Sequence, residues 1–410
     1  MKFATHHNFL FICIILILSN SCAPYYAQKV GPTDIKKAHE EILEDQLLDV
    51  GIQVFKTDKI TEKQAKEEHT SPEVRKAETH FIPYHLKNTL QQSSYWGAVR
   101  VLPSDTESID VLVKGKILES NGENLALQIN VVDATGRTWF SKNYKSQAEF
   151  EFYSGNIMGE KDVYQDLYNA ISNDIANYFI TLSPEKIKKI RTVSKLKFAE
   201  DFAPTAFSGY LTEDNNNIVT VNRLPADEDP IMIRLLKIRE RENMYIDTLN
   251  AYYEEYYSEM WSSYENWRKL NYQEIEAMKK IKRDASIRKI AGVLLLAGAI
   301  ALSAGDVNNT GALQATMILV GGQVIINGFN ITKEAEIHSA AIKELSESFG
   351  SEMRPVVMEF EGQQYELTGS AEEQFKRWRE LLEQIYLSET GFDPDFSPGA
   401  GEETATENPE

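Results

Sequence analysis

Cysteine is almost absent from this chain, which contains only Cys13 and Cys22 in 410 residues. Two thiols this close to the N-terminus cannot form a disulfide framework, and they cannot build a cysteine-rich zinc site. The body of the protein must therefore be held together by ordinary hydrophobic cores.

Positive charge is also scarce, because 62 Asp and Glu residues outnumber 43 Lys and Arg residues and give a net charge of −19. A chain this acidic repels polyanions, which disfavours nucleic acid and anionic lipid headgroups as its main partners. Its length allows about two or three domains.

The common catalytic and phosphate-binding motifs are missing as well. The sequence has no GxSxG, no HExxH, no GxxxxGK[ST] and no GxGxxG after a strand. His80 and His85 are close together but lack a third ligand at metal-site spacing, so we interpret them as core or solvated side chains. The sequence therefore predicts no active site, no metal and no cofactor; an envelope hydrolase is the enzyme alternative.

An export signal occupies the N-terminus. Lys2 precedes the apolar run Phe9–Leu18, and small polar residues then lead to Cys22. An apolar core of about ten residues fits a secretory signal and is too short for a bilayer, which needs about twenty. The pattern resembles a bacterial lipoprotein signal, with plain secretory cleavage as the alternative.

The lipoprotein resemblance implies a signal peptide at 1–21 and a lipidated tether at 22–40, with acyl chains such as palmitate on Cys22. Two or more acyl chains anchor a protein stably in a membrane. In that family, Asp after the cysteine retains the protein in the inner membrane, and acidic residues there mark surface display. Ala23-Pro24-Tyr25-Tyr26 stands there instead, which implies the outer membrane and its periplasm-facing leaflet.

Residues 41–185 have the pattern of an α+β domain. Apolar residues alternate at Val50, Ile52 and Val54 and again from Leu125 to Val131, as in half-buried strands. The charged stretch Thr61–Lys76 predicts a loop or solvated helix, followed by a helix over Ile82–Ser93 with Pro83 in its first turn. A second amphipathic helix follows the strands, with apolar residues at Val163, Leu167, Ile171 and Ile175.

Three segments of this region carry a family resemblance: LLDVGIQVF, IPYHLKNTLQQSSYWGAVRVLP, and IDVLVKGKI followed by LALQINVVDATGRTWFSKNY. They resemble the periplasmic domain of the curli-export lipoproteins, and are similar to the penicillin-binding-protein activator lipoproteins and the N-terminal domain of the Tol-system propeller protein. The resemblance implies a scaffold domain that binds protein partners or oligomerises.

One segment is predicted to be a linker and another a disordered tail. Residues 186–230 contain several prolines that should break any long element, so we predict a linker there. Residues 391–410 are acidic and poor in large apolar groups, which predicts a disordered tail.

Residues 231–350 predict a long helical hairpin, because neither Gly nor Pro occurs from Ile231 to Ala291. Tyr253, Tyr257, Trp261 and Tyr264 share one helix face. This stripe predicts packing on a partner helix, with a membrane-interface belt as the alternative.

Two apolar segments, 290–305 and 311–331, form the predicted tip of the hairpin, and only Asp306 is charged between Ile290 and Thr332. Small residues there would let helices approach closely. We predict packing through Ala297, Ala301, Gly305, Gly311, Ala315, Gly321 and Gly322. Three readings stay open: a hairpin buried in a soluble bundle or oligomer, a transmembrane hairpin, and a partner-binding patch.

Residues 351–390 predict a β-hairpin and a C-terminal helix that begins with Ser370 and Glu373 in capping-box spacing. The fold class is therefore α+β: a small mixed sheet covered by helices, then a long antiparallel helical hairpin with an apolar Gly/Ala-rich tip, then a small β-hairpin plus helix.

The functional prediction is a membrane-anchored bacterial envelope lipoprotein that acts as a non-catalytic scaffold or assembly factor for an envelope complex. The alternative is an oligomeric, pore-like secretion or transport accessory built by the apolar hairpin. The expected partners are the membrane through the lipid anchor, the membrane through residues 290–331 in one reading, envelope proteins and further copies of the chain, but no nucleic acid.

Overall fold

A computed structural model describes residues 27–103, 108–153, 161–301, 337–347, 355–360 and 363–390. Of residues 284–301 only the helical backbone is described. The predicted signal, Cys22, most of the apolar tip and the predicted C-terminal tail lie outside the described residues.

The described strands of the first region form a seven-stranded mixed sheet. The strands are β1 (Gln28–Lys29), β2 (Val50–Gln53), β3 (Lys56–Thr57), β4 (Val99–Leu102), β5 (Val111–Ser120), β6 (Asn124–Asp133) and β7 (Thr138–Gln147). Their order in the sheet is β1-β7-β6-β5-β2-β4, with β3 paired to β5. Strands β5, β6 and β7 are antiparallel, whereas β1, β2, β3 and β4 join their neighbours in parallel.

The helices that accompany this sheet are α1 (Glu62–Glu67), α2 (Pro72–Gln92), α3 (Phe150–Tyr153), α4 (Gln165–Ile180), α5 (Pro184–Phe202), α6 (Pro204–Phe207) and the long helix α7 (Pro230–Ala301). Both faces of the sheet are covered. Val111 and Val113 share a core with α2 and α4, while Leu112 shares a second core with α5 and α7. The α+β class predicted from the sequence is confirmed.

Helix α2 starts earlier than predicted, at Pro72 rather than near Ile82, and Pro83 lies inside it. Ser71 caps its first turn by accepting a hydrogen bond from the backbone of Val74. Proline has no N–H, so Pro83 leaves the carbonyl of Thr79 without its usual helical donor. The backbone N–H of Phe55 donates to that carbonyl at 2.9 Å, which explains why the interior proline is tolerated.

The prediction that prolines break up residues 186–230 was wrong for its first part, because α5 is a 19-residue helix. Pro184, Pro204 and Pro230 each begin a helix instead of ending one. Proline suits the first helical position, where its missing N–H would have no partner anyway. The short hairpin β8 (Leu211–Glu213) and β9 (Val219–Val221) follows α6.

The described part of the predicted tether is bonded to the sheet domain. Gln28 pairs with Tyr144 at the edge of the sheet. Asp166 accepts a hydrogen bond from the backbone N–H of Thr33 at 3.1 Å, and Asn169 donates to its carbonyl at 2.8 Å. Polar side chains of α4 therefore form the hydrogen bonds that the backbone N–H and C=O groups of this extended segment need.

Helix α7 has 72 residues, and a helix over 337–347, α8, returns beside it. Ser339 lies 2.9 Å from Ser71 at the start of α2, and Ile342 is buried in the same core as Tyr264. The aromatic stripe packs on a helix, as predicted, and that helix is α2: the ring centroids of Phe81 and Tyr257 are 4.5 Å apart.

The chain closes with an antiparallel pair, β10 (Val356–Phe360) and β11 (Gln363–Leu367), and with helix α9 (Ala371–Thr390). Glu373 accepts from the backbone of Ser370 at 3.0 Å, and the Ser370 hydroxyl accepts from the backbone of Glu373 at 3.2 Å. The predicted capping box is confirmed.

Candidate functional site

The packing residues predicted at the hairpin tip are only partly within the described residues. Ala297 and Ala301 lie on the last turns of α7, where only the backbone is described. Cys22, Gly305, Gly311, Ala315, Gly321 and Gly322 lie outside the described residues. Their roles stay predictions.

Among the described residues, no helix is long and apolar enough to cross a membrane. In the same part of the chain, no group of three His, Cys, Asp or Glu side chains is placed to hold a metal ion. The most developed polar constellation is instead a buried network between α7 and the sheet domain, which we call the clamp. Its members are Glu78, His85, Asp162, Arg268 and Asn250.

The centre of the clamp is an ion pair between Arg268 on α7 and Asp162, which precedes α4. Arg268 Nη1 lies 2.8 Å from Asp162 Oδ2, and the two side chains are only 2% and 1% exposed. Asp162 also accepts a hydrogen bond from the backbone N–H of Tyr164 at 2.8 Å. Burial alone would raise the pKa of Asp162, but the charge of Arg268 and these hydrogen bonds hold it below its usual value.

Aromatic rings enclose the guanidinium. Its central carbon lies 4.4 Å from the ring centroid of Tyr264 and 5.6 Å from that of Tyr164. Cation–π contact with these rings offsets part of the lost hydration of the arginine. The pair is thus a buried contact between the long helix and the sheet domain.

Glycine is required where the backbone of Arg268 meets the sheet domain. Gly122 has φ +78°, and a Cβ at that position would lie 2.4 Å from the carbonyl oxygen of Arg268. A side chain at residue 122 would therefore push α7 away from the sheet.

Glu78 on α2 makes a second polar connection to α7. It accepts a hydrogen bond from the hydroxyl of Tyr264 at 2.6 Å and another from the hydroxyl of Ser120. Arg75 Nε lies 3.3 Å from the same carboxylate and neutralises its charge within the core.

His85 connects α2, α4 and α7. Its Nε2 lies 2.8 Å from Gln165 Oε1 and its Nδ1 lies 2.6 Å from the hydroxyl of Tyr257. Because the amide oxygen can only accept, Nε2 carries the proton and Nδ1 accepts from Tyr257, which fits a neutral ring. Burial lowers the pKa of His85 against the opposing charge of Asp162.

Asn250 attaches α7 to the edge strand β4. Its side-chain amide accepts from the backbone N–H of Val101 at 2.8 Å and donates to the carbonyl of Val101 at 2.9 Å. The asparagine therefore replaces the neighbouring strand that β4 lacks at this edge. Beside it, Arg100 on β4 donates to both carboxylate oxygens of Asp247, at 2.7 and 2.9 Å.

Sequence reasoning missed the clamp, although a signal was present. Asn250, Arg268 and Asn271 share the helix face of Tyr257 and Tyr264. Polar residues that lie on the buried face of a helix need hydrogen-bond or ion-pair partners inside the protein. Their partners are distant in sequence and could not be identified from spacing.

Comparison with known proteins adds little. No protein-family model matches the chain, and no curated protein matches it. The crystal structure of protein XCC0632 from Xanthomonas campestris, described as DUF330, aligns with 40% of this chain and 99% of its own at 7% identity. Its TM-score of 0.23 is too low to support any conclusion.

Proposed function

We propose that this protein is a membrane-anchored bacterial envelope lipoprotein that acts as a non-catalytic scaffold for an envelope complex. In this proposal Cys22 carries the lipid, and the protein faces the periplasm from the outer membrane. The observation that supports the scaffold role is the clamp, which fixes a very long helix to a small sheet domain through a buried ion pair.

A fixed helix can act as a rigid arm. The last described contact of α7 with the sheet domain joins Lys279 to Glu123. From Lys280 to Lys289 the helix is about 15 Å long at 1.5 Å per residue. The first apolar segment begins at the next residue, so an arm held by the clamp would present it at a set distance and direction. This geometry suits a scaffold that positions a partner or a membrane contact.

Within this proposal, the apolar tip has two alternative roles. It inserts into a bilayer, or it packs against further copies and forms the pore-like accessory of the alternative. Small residues such as Ala297 and Ala301 fit both readings, because they allow close helix contact in lipid and in an oligomer core.

The anchor is tested by growing cells that express the chain with labelled fatty acid. We expect label on the wild type and on Cys13→Ser, whose thiol lies inside the signal, and no label on Cys22→Ser. The Cys22→Ser variant should also become soluble or stay unprocessed. Normal labelling and membrane retention of Cys22→Ser would contradict the lipoprotein assignment.

The tip is tested by Leu295→Lys in chains that lack the lipid anchor, with the exposed Leu43→Lys as the matched control. In a membrane-inserted hairpin, the lysine should weaken vesicle binding by about 2.5–3.5 kcal/mol if the site is central. In an oligomer it should dissociate the subunits without any vesicle binding to lose. If deletion of residues 290–332 changes neither vesicle binding, oligomeric state nor envelope function, the scaffold proposal fails.

A further inference from the structure

The first turns of the long helix carry an uncovered apolar stripe. Ile233, Leu236 and Met244 are 44%, 36% and 58% exposed, although the neighbouring Leu235 and Ile238 are buried. Their spacing of three and eight residues places all three on one helix face, with Glu240 between them. Single exposed apolar residues are ordinary, but an aligned set indicates a surface that something covers.

A groove of about 310 Å³ runs beside this stripe, and Leu236 and Met244 form one of its walls. Cations also line the groove: Arg191 and Lys195 come from α5, and Arg239 comes from α7 itself. Asp49, Asp110, Glu240 and Asp247 also line the groove, but Asp247 is already bound by Arg100.

Among the described residues, Arg191, Lys195 and Arg239 have no carboxylate within ion-pair distance, although Asp110 attracts both Lys195 and Arg239. Arg239 donates to the backbone carbonyl of Ser108 and to the hydroxyl of Ser194, and Arg191 donates to the carbonyl of Glu44. Burial, reinforced by repulsion from Arg191 and Arg239, lowers the pKa of Lys195. The four basic and four acidic side chains that line the groove balance in formal charge, so this surface is less negative than the rest of a chain whose net charge is −19.

The C-terminal helix ends beside the first turns of the long helix. Glu389 Oε2 lies 3.2 Å from Arg234 Nε, and the carbonyl of Glu389 accepts from Arg234 Nη1 at 3.0 Å. Helix α9 ends one residue later, at Thr390, so its described end lies beside the turn that carries Arg234.

The chemistry of the next residues matches the surface. Residues 391–396 read Gly-Phe-Asp-Pro-Asp-Phe, and the remainder to 410 contains four glutamates and no lysine or arginine. Six extended residues span about 20 Å, and the stripe from Ile233 to Met244 is about 16 Å long. The segment can therefore cover the whole stripe.

We propose that residues 391–410, which we call the acidic tail, dock in cis on this surface. Phe392 and Phe396 pack on Ile233, Leu236 and Met244, while the carboxylates of the tail face Arg191, Lys195 and Arg239. This inference does not depend on the lipid anchor or on the apolar tip.

A labelled synthetic peptide of residues 391–410 tests the docking. Its binding is compared between the intact chain and a chain that ends at Thr390, both without the signal segment. A tethered tail competes at millimolar effective concentration, so we expect at least about tenfold tighter peptide binding to the shortened chain. Replacing Asp393 and Asp395 of the peptide by Asn, or adding salt, should weaken this binding. Equal binding to both chains, or none, would overturn the proposal.

Two variants of the shortened chain localise the contact. Met244→Glu should weaken peptide binding at least tenfold, whereas Leu224→Glu, at an exposed leucine outside the stripe, should leave it unchanged. A direct check joins Met244→Cys to Phe396→Cys in a chain without other cysteines, and mild oxidation should crosslink them within one molecule. Leu224→Cys with Phe396→Cys is the control, and equal crosslinking of both pairs would contradict the proposal.

Other occupants give different results. If Met244→Glu dissociates an oligomer of the intact chain, a second copy covers the stripe and the proposal is wrong. It is also wrong if vesicles with about one third anionic lipid bind the intact and shortened chains equally and Lys195→Glu abolishes that binding.

Discussion

Arg268 on the long helix and Asp162 before α4 form an ion pair of 2.8 Å with both side chains almost completely buried. The pair joins two parts of the chain that the sequence presents as separate units. Tyr264 and Trp267 of the long helix belong to the same hydrophobic core as Leu127 and Ile129 of the sheet. The sheet domain and this part of the helix are therefore one packed body.

Arg268→Met should lower the free energy of unfolding by about 3–5 kcal/mol, because it leaves the carboxylate of Asp162 buried without its counter-charge. Adding Asp162→Leu should recover part of the loss, since the remaining charge is then removed as well. Urea denaturation measures both effects. As a control, Lys142→Met breaks the exposed pair with Asp174 and should cost no more than about 1 kcal/mol. A similar small cost for Arg268→Met would show that the buried pair does not hold the helix.

Gly122→Ala should destabilise the protein more than Gly209→Ala does. Both glycines have positive φ, +78° and +76°, so an alanine suffers the same backbone strain of about 1–2 kcal/mol at either site. Only at Gly122 would the new Cβ also collide with the carbonyl of Arg268, whereas the space around Gly209 is open. Thermal or urea unfolding of the two variants measures the difference. Equal costs would mean that α7 does not approach the sheet this closely.

Asn250→Leu should cost about 1–3 kcal/mol for each backbone group of Val101 that it leaves unpaired. Asn266→Leu is the matched control, because Asn266 lies on the same helix and its side chain donates only to the carbonyl of Ser262. Urea unfolding of both variants should therefore show a large loss for the first and a small one for the second. Similar losses would argue against the role of Asn250 at the strand edge.

The contribution of His85 to the free energy of unfolding should decrease as the pH is lowered from about 7 to 5, whereas the buried Glu242, whose pKa is raised to about 7, acts in the opposite sense. The folded pKa of His85 is lowered by burial, so the unfolded chain binds a proton first, near pH 6.5. This contribution to the free energy of unfolding is fully present above about pH 6.5. As the pH falls from there to the pKa of His85 in the folded protein, the contribution decreases by up to about 1.4 kcal/mol per pH unit. The charges of Asp162 and Arg268 act on this ring, and Gln165 and Tyr257 bond to it.

His85→Gln should remove this contribution, so that stability falls less, or rises more, than in the wild type as the pH is lowered from 7 to 5 in urea unfolding. The exposed His39→Gln should leave the slope of the wild type unchanged. If both variants keep the wild-type slope, another group is responsible for the pH dependence.

Periodic patterns of apolar residues predicted much of this fold. Apolar residues alternate in β6 and recur every four residues in α4, and both patterns indicate which face of the element is buried. Local rules failed where a distant partner decides the outcome. Pro83 is accepted in α2 because Phe55 donates to the carbonyl that the proline leaves unpaired. A proline rule applied to the local sequence could not include that contact.

The same limit applies to the clamp and to the domain division. Arg268 and Asp162 are more than a hundred residues apart, so their contact has no local signature. The sequence predicted that residues 41–185 form a domain, yet the core places Met260 and Trp267 against them. From the structure we expect a fragment of residues 41–185 to lack the cooperative unfolding of the intact chain.

The central claim is that the sheet and the long helix form one cooperative, rigid unit, and native-state hydrogen exchange of the intact chain tests it most directly. In such a unit, amides around Tyr264 in the long helix and around Ile129 in β6 should open with the same free energy. Asp162→Asn should lower both values equally. Helix amides that open several kcal/mol more easily than those of β6, or a variant that affects the helix alone, would contradict the account.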